Sequence, residues 1–129
     1  MKKISIIVGS LRRASIARKL AKNIIEMFPQ GWDVRIVEIR DLPLYDCDYD
    51  DPSEPDKPVP EIYKSFRQRM KESDGVFFVT AENNRLVPAC VKNAIDICSK
   101  PNNDVAFKDR PVGVVSHSVG KMGDRKSVV

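Results

Sequence analysis

The apolar positions of the chain follow two spacings that alternate along its length. Residues 4–8 are almost continuously apolar, which is typical of a strand covered on both faces in a parallel sheet. Apolar residues then recur at positions 16, 20, 24 and 28, which share one face of a helix. The same patterns predict further strands at 34–39, 76–79 and 112–116, and further helices from about 61 and from 88. This alternation predicts an α/β fold with a parallel sheet and right-handed crossovers.

No repeat or linker divides this pattern, so we expect a single domain over residues 1–129, long enough to bury one core. Arg35 and Glu38 interrupt the second strand, which favours a position at the edge of the sheet. The segment 41–60 is rich in Pro and Asp and is predicted to be an exposed loop.

Composition mainly excludes classes of protein. Hydrophobic residues make up 42% of the chain and charged residues 31%, which argues against disorder. No apolar run approaches the roughly 20 residues that span a bilayer, so we expect no membrane partner. The apolar part of the opening MKKISIIVGS is too short for a signal peptide. We therefore expect a cytoplasmic protein.

The net charge is +4, and several cations gather in the first predicted helix. They are Arg12, Arg13, Arg18, Lys19 and Lys22. Such a patch suits nucleic acid, but it is also the ordinary solvated face of an amphipathic helix. No nucleic-acid-binding motif accompanies it. We therefore expect no nucleic-acid partner and favour a small anionic ligand near the start of the helix.

Cysteine and histidine, which often serve as nucleophiles or zinc ligands, are scarce in this chain. Cys47, Cys90 and Cys98 lack the spacing of a zinc site, and we expect reduced thiols packed as small hydrophobes and no metal. His117, the only histidine, is interpreted as a polar residue that ends a strand. No cysteine nucleophile lies in 9–17. The pattern favours a site that binds rather than attacks.

Ligands of parallel α/β sheets bind at the carboxyl ends of the strands. The loops that follow three of the predicted strands, at 9–17, 80–88 and 116–123, are rich in Gly, Ser, Thr and Asn. We expect the binding site where these loops meet.

The first of these loops has the parts of a phosphate cradle. Gly9 permits a sharp turn, and the N–H groups at a helix start attract an anion. Ser10 and Ser15 offer hydroxyl donors, and Arg12 can fork onto phosphate oxygens. The alternative is that Ser15 only caps the helix and Arg12 is a solvated cation.

Three segments resemble motifs of the NADPH-dependent FMN reductase family: GSLRRAS, TAENNRLVPACVKNAID and SHSVGKMG. The family includes quinone, azo-dye and chromate reductases, and the resemblance covers essentially the whole chain. It implies a flavodoxin-like three-layer sandwich, bound FMN, and hydride transfer from NAD(P)H through the flavin to a small electron acceptor. Because the flavin performs the redox chemistry, no catalytic acid or base is expected from the protein.

Carried over by position, the resemblance implies three groups of cofactor-binding residues. Ser10, Arg12 and Ser15 would hold the FMN phosphate, and the neighbouring Ala17 stands where the family often has asparagine. The middle motif would lie along the isoalloxazine ring with Thr80, Ala81, Glu82, Asn83 and Asn84. The last motif would line the other side of the ring with Ser116, Ser118 and Gly120.

The sequence also departs from the family pattern. Ala81, Asn83 and Ala89 replace the usual proline, tyrosine and glycine. The family continues with a fifth strand and last helices beyond the point at which this sequence ends, so a C-terminally short domain with four strands is expected. The exposed sheet would then favour a homodimer or higher homo-oligomer. A flavin-binding or self-associating module with little turnover is the alternative function.

Overall fold

The chain forms a four-stranded parallel sheet with helices on both faces. In the computed structural model the structure describes residues 1–82 and 84–117. The strands are β1 (Lys3–Gly9), β2 (Asp33–Ile36), β3 (Gly75–Ala81) and β4 (Val112–His117). The helices are α1 (Ile16–Ile25), α2 (Glu61–Glu72) and α3 (Ala89–Cys98), with a short 3-10 turn at Cys47–Asp50. The strand order is β2-β1-β3-β4, with all pairs parallel, as the alternating pattern predicted.

The two faces of the sheet bury separate apolar clusters. On one face, α1 packs against side chains such as Ile6, Val8 and Val79. On the other face, α2 and α3 cover a larger cluster that includes Ile7 and Phe78. Alternate residues of β1 thus enter opposite layers, which explains why its sequence is almost continuously apolar.

The helix α1 is rotated relative to its predicted apolar face. Ala17 and Ala21 are fully buried, whereas Ile16 is 49% exposed. The two alanines are four residues apart and lie on the same side of the helix. Their small side chains are buried in the cluster between helix and sheet, although the apolar spacing did not single them out.

The segment 41–60 is more than an exposed loop. Leu42 is buried, and Tyr45 and Tyr49 pack against the α2–α3 cluster. Asp50 accepts two hydrogen bonds from the Arg67 guanidinium of α2, at 3.0 and 2.7 Å, and both side chains are almost buried. The prediction of an exposed loop was therefore wrong for its first half, because scattered apolar residues and one ion pair hold it on the core.

Both outer strands of the described sheet, β2 and β4, are less buried than the central strands β1 and β3. The edge position predicted for β2 is confirmed, although the strand ends at Ile36 rather than at residue 39. In β4, Val112 and Val114 are each about half exposed. Within residues 1–82 and 84–117, none of the helices is long and apolar enough to cross a membrane.

Candidate functional site

The carboxyl ends of β1, β3 and β4 meet at one cleft of about 630 Å³. Its lining consists of residues 9–12, 15 and 16 from the first loop, 81 and 82 from the end of β3, 88–90 at the start of α3, and 117 at the end of β4. The volume lies in the range of small-molecule and cofactor sites. The cleft therefore occupies the position that the topology of a parallel sheet predicts for a ligand.

Gly9 forms the floor of this cleft, at a position where no side chain would fit. A Cβ atom at this position would lie 2.2 Å from Thr80 Oγ1 and 2.7 Å from Val91 Cγ2. Thr80 is itself buried, and its hydroxyl donates a hydrogen bond of 2.8 Å to the carbonyl of Ala81. Thr80 thus packs behind Gly9 and does not itself line the cleft.

The start of α1 combines a helix cap with a set of polar groups that face the cleft. Ser15 is buried, and its Oγ accepts a hydrogen bond of 3.0 Å from the Arg18 N–H, so the capping interpretation is confirmed. A capping hydroxyl keeps its own hydrogen, and Ser15 also lines the cleft, so it remains a donor toward a ligand. The first turn of α1 carries no acidic residue that would compete with an anion.

The cations around the first loop have different partners. Arg18 forks onto Glu38 with two hydrogen bonds of 2.9 Å, and this pairing raises the pKa of Arg18. Arg40 donates to the carbonyl of Leu11 and so ties the loop to the chain beyond β2. The Arg12 side chain lines the cleft, is exposed and makes no ion pair within the described part of the chain. Of these three, Arg12 is the one positioned to meet an anionic ligand.

The other cofactor-binding residues expected from the sequence are placed as follows. Ala81 and Glu82 line the cleft together with Ser10, Arg12 and Ser15. Asn84 is exposed, has a φ of 50° and does not line the cleft. Ser116 pairs with Thr80 in the sheet and does not line it either, because neighbouring residues of a strand point to opposite faces. Asn83, Ser118 and Gly120 lie outside the described residues.

Ala17 requires a correction. Its side chain is fully buried in the α1–sheet cluster and does not line the cleft. The second position of the helix points toward the sheet, so this methyl group contributes packing rather than contact with a ligand. Only a backbone N–H at this position, which a helix start leaves without an internal partner, would face the anion.

His117 and Cys90 line the cleft, although neither was among the site residues named from the sequence. His117 is next to the expected Ser116, and the alternation of a strand brings its side chain rather than that of Ser116 to the cleft. Cys90 lies in the first turn of α3 and is partly buried, and this burial raises the pKa of its thiol. The sequence did contain a signal for Cys90: Pro88 favours a helix start directly after it, which places Cys90 in the first turn of α3, next to the cleft.

The described residues contain one close group of metal-ligand types, formed by Asp46, Cys47 and Asp48. Lys57 forms an ion pair with Asp46 and a second one of 3.8 Å with Asp48. The hydrogen bond from Lys57 lowers the pKa of Asp46. A cation of the chain itself therefore already pairs with both carboxylates of this group.

The strand order, the helices on both faces and the cleft at the carboxyl edge define a flavodoxin-like α/β protein. The chain belongs to the NADPH-dependent FMN reductase family, whose sequence model matches residues 2–128. The resemblance drawn from the three motifs is thereby confirmed.

Several curated relatives are quinone reductases. One from Pseudomonas putida is 46% identical over 120 residues, which cover 93% of this chain and 62% of that protein. A 2-hydroxy-1,4-benzoquinone reductase from a Burkholderia species is 36% identical over 121 residues, which cover 94% of this chain and 63% of that protein. The chain thus spans just under two thirds of the length of these relatives.

Solved structures have the same fold. The flavoenzyme NAD(P)H:(acceptor) oxidoreductase FerB from Paracoccus denitrificans superposes with a TM-score of 0.83 at 31% identity, over 95% of this chain and 64% of that one. An FMN-dependent NADH-azoreductase from Bacillus anthracis, solved in complex with FMN, superposes with a TM-score of 0.64 at 16% identity, over 88% of this chain and 68% of that one. The flavodoxin-like fold predicted from the sequence is confirmed.

Proposed function

We propose that this chain binds FMN in the cleft and works as an NAD(P)H-dependent oxidoreductase that reduces a quinone or a similar small acceptor. The observation that carries the proposal is the convergence of the first loop and the ends of β3 and β4 on one cleft of about 630 Å³. The family membership and the quinone reductases among the relatives support the reaction type.

The residues at the phosphate end fit one phosphate group. Ser10 and Ser15 supply hydroxyl donors, and Arg12 supplies a guanidinium that has no competing ion pair among the described residues. The first-turn N–H groups of α1 add the positive end of a helix dipole. No second cradle of this kind lines the described cleft, which favours FMN over FAD.

The walls of the cleft would orient the ring system and limit its contact with water. Pro88, Ala89 and Cys90 present an apolar edge at the start of α3, and Ala81 continues this surface from β3. When bound, FMN supplies the hydride chemistry, because it accepts two electrons from a nicotinamide and passes them to an acceptor. The protein's part is then binding, orientation and electrostatics.

Two further properties belong to the same proposal. We expect a homodimer or a higher homo-oligomer, because the half-exposed Val112 and Val114 on β4 are surface that a partner copy would cover. We also expect cytoplasmic function, where reduced nicotinamide nucleotides are available. Light scattering over a wide concentration range checks the assembly, and a well-folded monomer at all concentrations would contradict it.

The proposal is tested by adding FMN to the purified chain and following the quenching of flavin fluorescence. Heat release and chromatography of the bound flavin then identify it, with FMN expected and FAD as the contrary result. Oxidation of NADH or NADPH in the presence of benzoquinone measures turnover. Bound FMN without turnover would support a flavin-binding module instead, and no binding would refute the proposal.

A further inference from the structure

His117 ends β4 with a polar atom that the protein leaves without a partner. Its side chain lines the cleft, and its Nε2 atom is buried and has no hydrogen-bond partner within the described part of the chain. The great majority of buried polar side-chain atoms in proteins have such a partner. An unpaired nitrogen on a side chain that lines a cleft therefore has a polar atom of a ligand as its natural partner.

The position of His117 in the sheet decides which end of a ligand it meets. The proposed phosphate-binding groups follow β1. His117 lies on β4, where it pairs with Ala81 of β3, and β4 is two strands away from β1. Two strand spacings are about 10 Å. A ligand whose phosphate lies at Ser10, Arg12 and Ser15 thus reaches His117 with the opposite end of the molecule.

We propose that His117 Nε2 forms a hydrogen bond with the ring system of the bound flavin and is a positioning residue for the ring rather than for the phosphate. The inference rests on the proposed function, because it assumes FMN in this cleft. The edge of the isoalloxazine ring presents carbonyl oxygens and ring nitrogens. A neutral imidazole can serve either kind of atom, since it donates from one tautomer and accepts from the other.

The test compares the binding of FMN with that of riboflavin, which has the same ring and no phosphate. His117→Leu removes the hydrogen bond and keeps an apolar side chain, and His117→Gln replaces Nε2 with an amide group at a similar reach. Val114→Ala is the matched control, because it shortens a β4 side chain that does not line the cleft. Fluorescence quenching gives both dissociation constants, and the absorption spectrum of the bound flavin reports its surroundings.

We expect His117→Leu to weaken FMN and riboflavin by the same factor, about tenfold, which is the scale of one lost hydrogen bond to a buried group. His117→Gln should recover most of both affinities, and the visible absorption band of the bound flavin should shift in the Leu variant. Val114→Ala should leave both constants and the spectrum unchanged. If His117→Leu does not fold, His117→Asn replaces it, since its side chain is too short to reach the Nε2 position.

Three results would overturn the inference. A loss confined to FMN would place His117 at the phosphate, and unchanged binding of both flavins would mean that Nε2 has another partner. A failure of His117→Gln to restore binding while it folds normally would show that the imidazole acts only in packing. These results require FMN binding by the unchanged chain. If that chain binds no flavin, the proposed function fails first and the inference fails with it.

Discussion

Replacing Arg12 with alanine tests the proposed phosphate end of the cleft most directly. The Arg12 side chain is exposed, lines the cleft and forms no ion pair within the described residues. Its removal therefore leaves no charged group of the described residues without a partner, and the loop remains tied to the chain through the bond from Arg40 to the carbonyl of Leu11. We expect the free energy of unfolding to stay the same while FMN binding weakens.

The size of the effect follows from the kind of contact and its exposure. A hydrogen bond to a charged group contributes about 1.5–3 kcal/mol. Because Arg12 lies at the open rim, solvent and salt screen its charge and place the loss near the lower value, which is roughly a tenfold rise in the dissociation constant. Riboflavin lacks the phosphate, so its dissociation constant should barely change.

The measurement is a titration of the protein with each flavin at low and at high salt, and quenching of the flavin fluorescence reports binding. Arg13→Ala is the matched control, since Arg13 is the adjacent exposed cation, its removal changes the net charge equally, and it does not line the cleft. Arg12→Ala should reduce the salt dependence of FMN binding more than the control does. Equal losses for FMN and riboflavin, or equal effects of both variants, would refute the placement of the phosphate.

Three further changes probe the floor of the cleft, the loop and the apolar wall. Gly9→Ala should lower the free energy of unfolding by about 1–3 kcal/mol and weaken FMN binding, because the added methyl group would lie 2.2 Å from a buried threonine oxygen. Urea unfolding measures the loss of stability, and an unchanged midpoint would contradict the prediction. Burial raises the pKa of Asp50, but hydrogen bonds from Arg67 and a tyrosine outweigh it, so the pKa lies below 3.8. The ionised pair thus stabilises the fold at neutral pH and loses this effect as the pH falls through that lowered pKa. Asp50→Asn should therefore cost about 3 kcal/mol at pH 7 and flatten the acid branch of the stability curve, and an equally steep acid branch would count against the pairing. Iodoacetamide at pH 8 should modify the exposed Cys47 before Cys90, because burial raises the pKa of the Cys90 thiol. Bound FMN should protect only Cys90, which lines the cleft. Protection of both thiols, or of neither, would argue against the proposed place of the flavin.

The sequence predicted the central strands closely and the periphery less well. The predicted runs 4–8 and 76–79 became Lys3–Gly9 and Gly75–Ala81, because a buried parallel strand requires apolar side chains on both faces. The edge strand β2 was predicted too long, and Ile39 instead enters the core. An edge strand has hydrogen-bond partners on one side only, so its end depends on tertiary packing that periodicity does not encode.

The two ends of the candidate site were predictable to different degrees for a related reason. The proposed phosphate end lies in one stretch of chain between β1 and α1, so local chemistry alone pointed to Gly9, Ser10, Arg12 and Ser15, all of which line the cleft. The ring end brings together side chains from β3, α3 and β4, which lie far apart in the sequence. Which of them reach the cleft depends on the phase of each strand, and a shift of one residue selects His117 in place of Ser116. In the proposed function, specificity for the ring would therefore be a property of the assembled sheet, whereas affinity for the phosphate would come from one short loop.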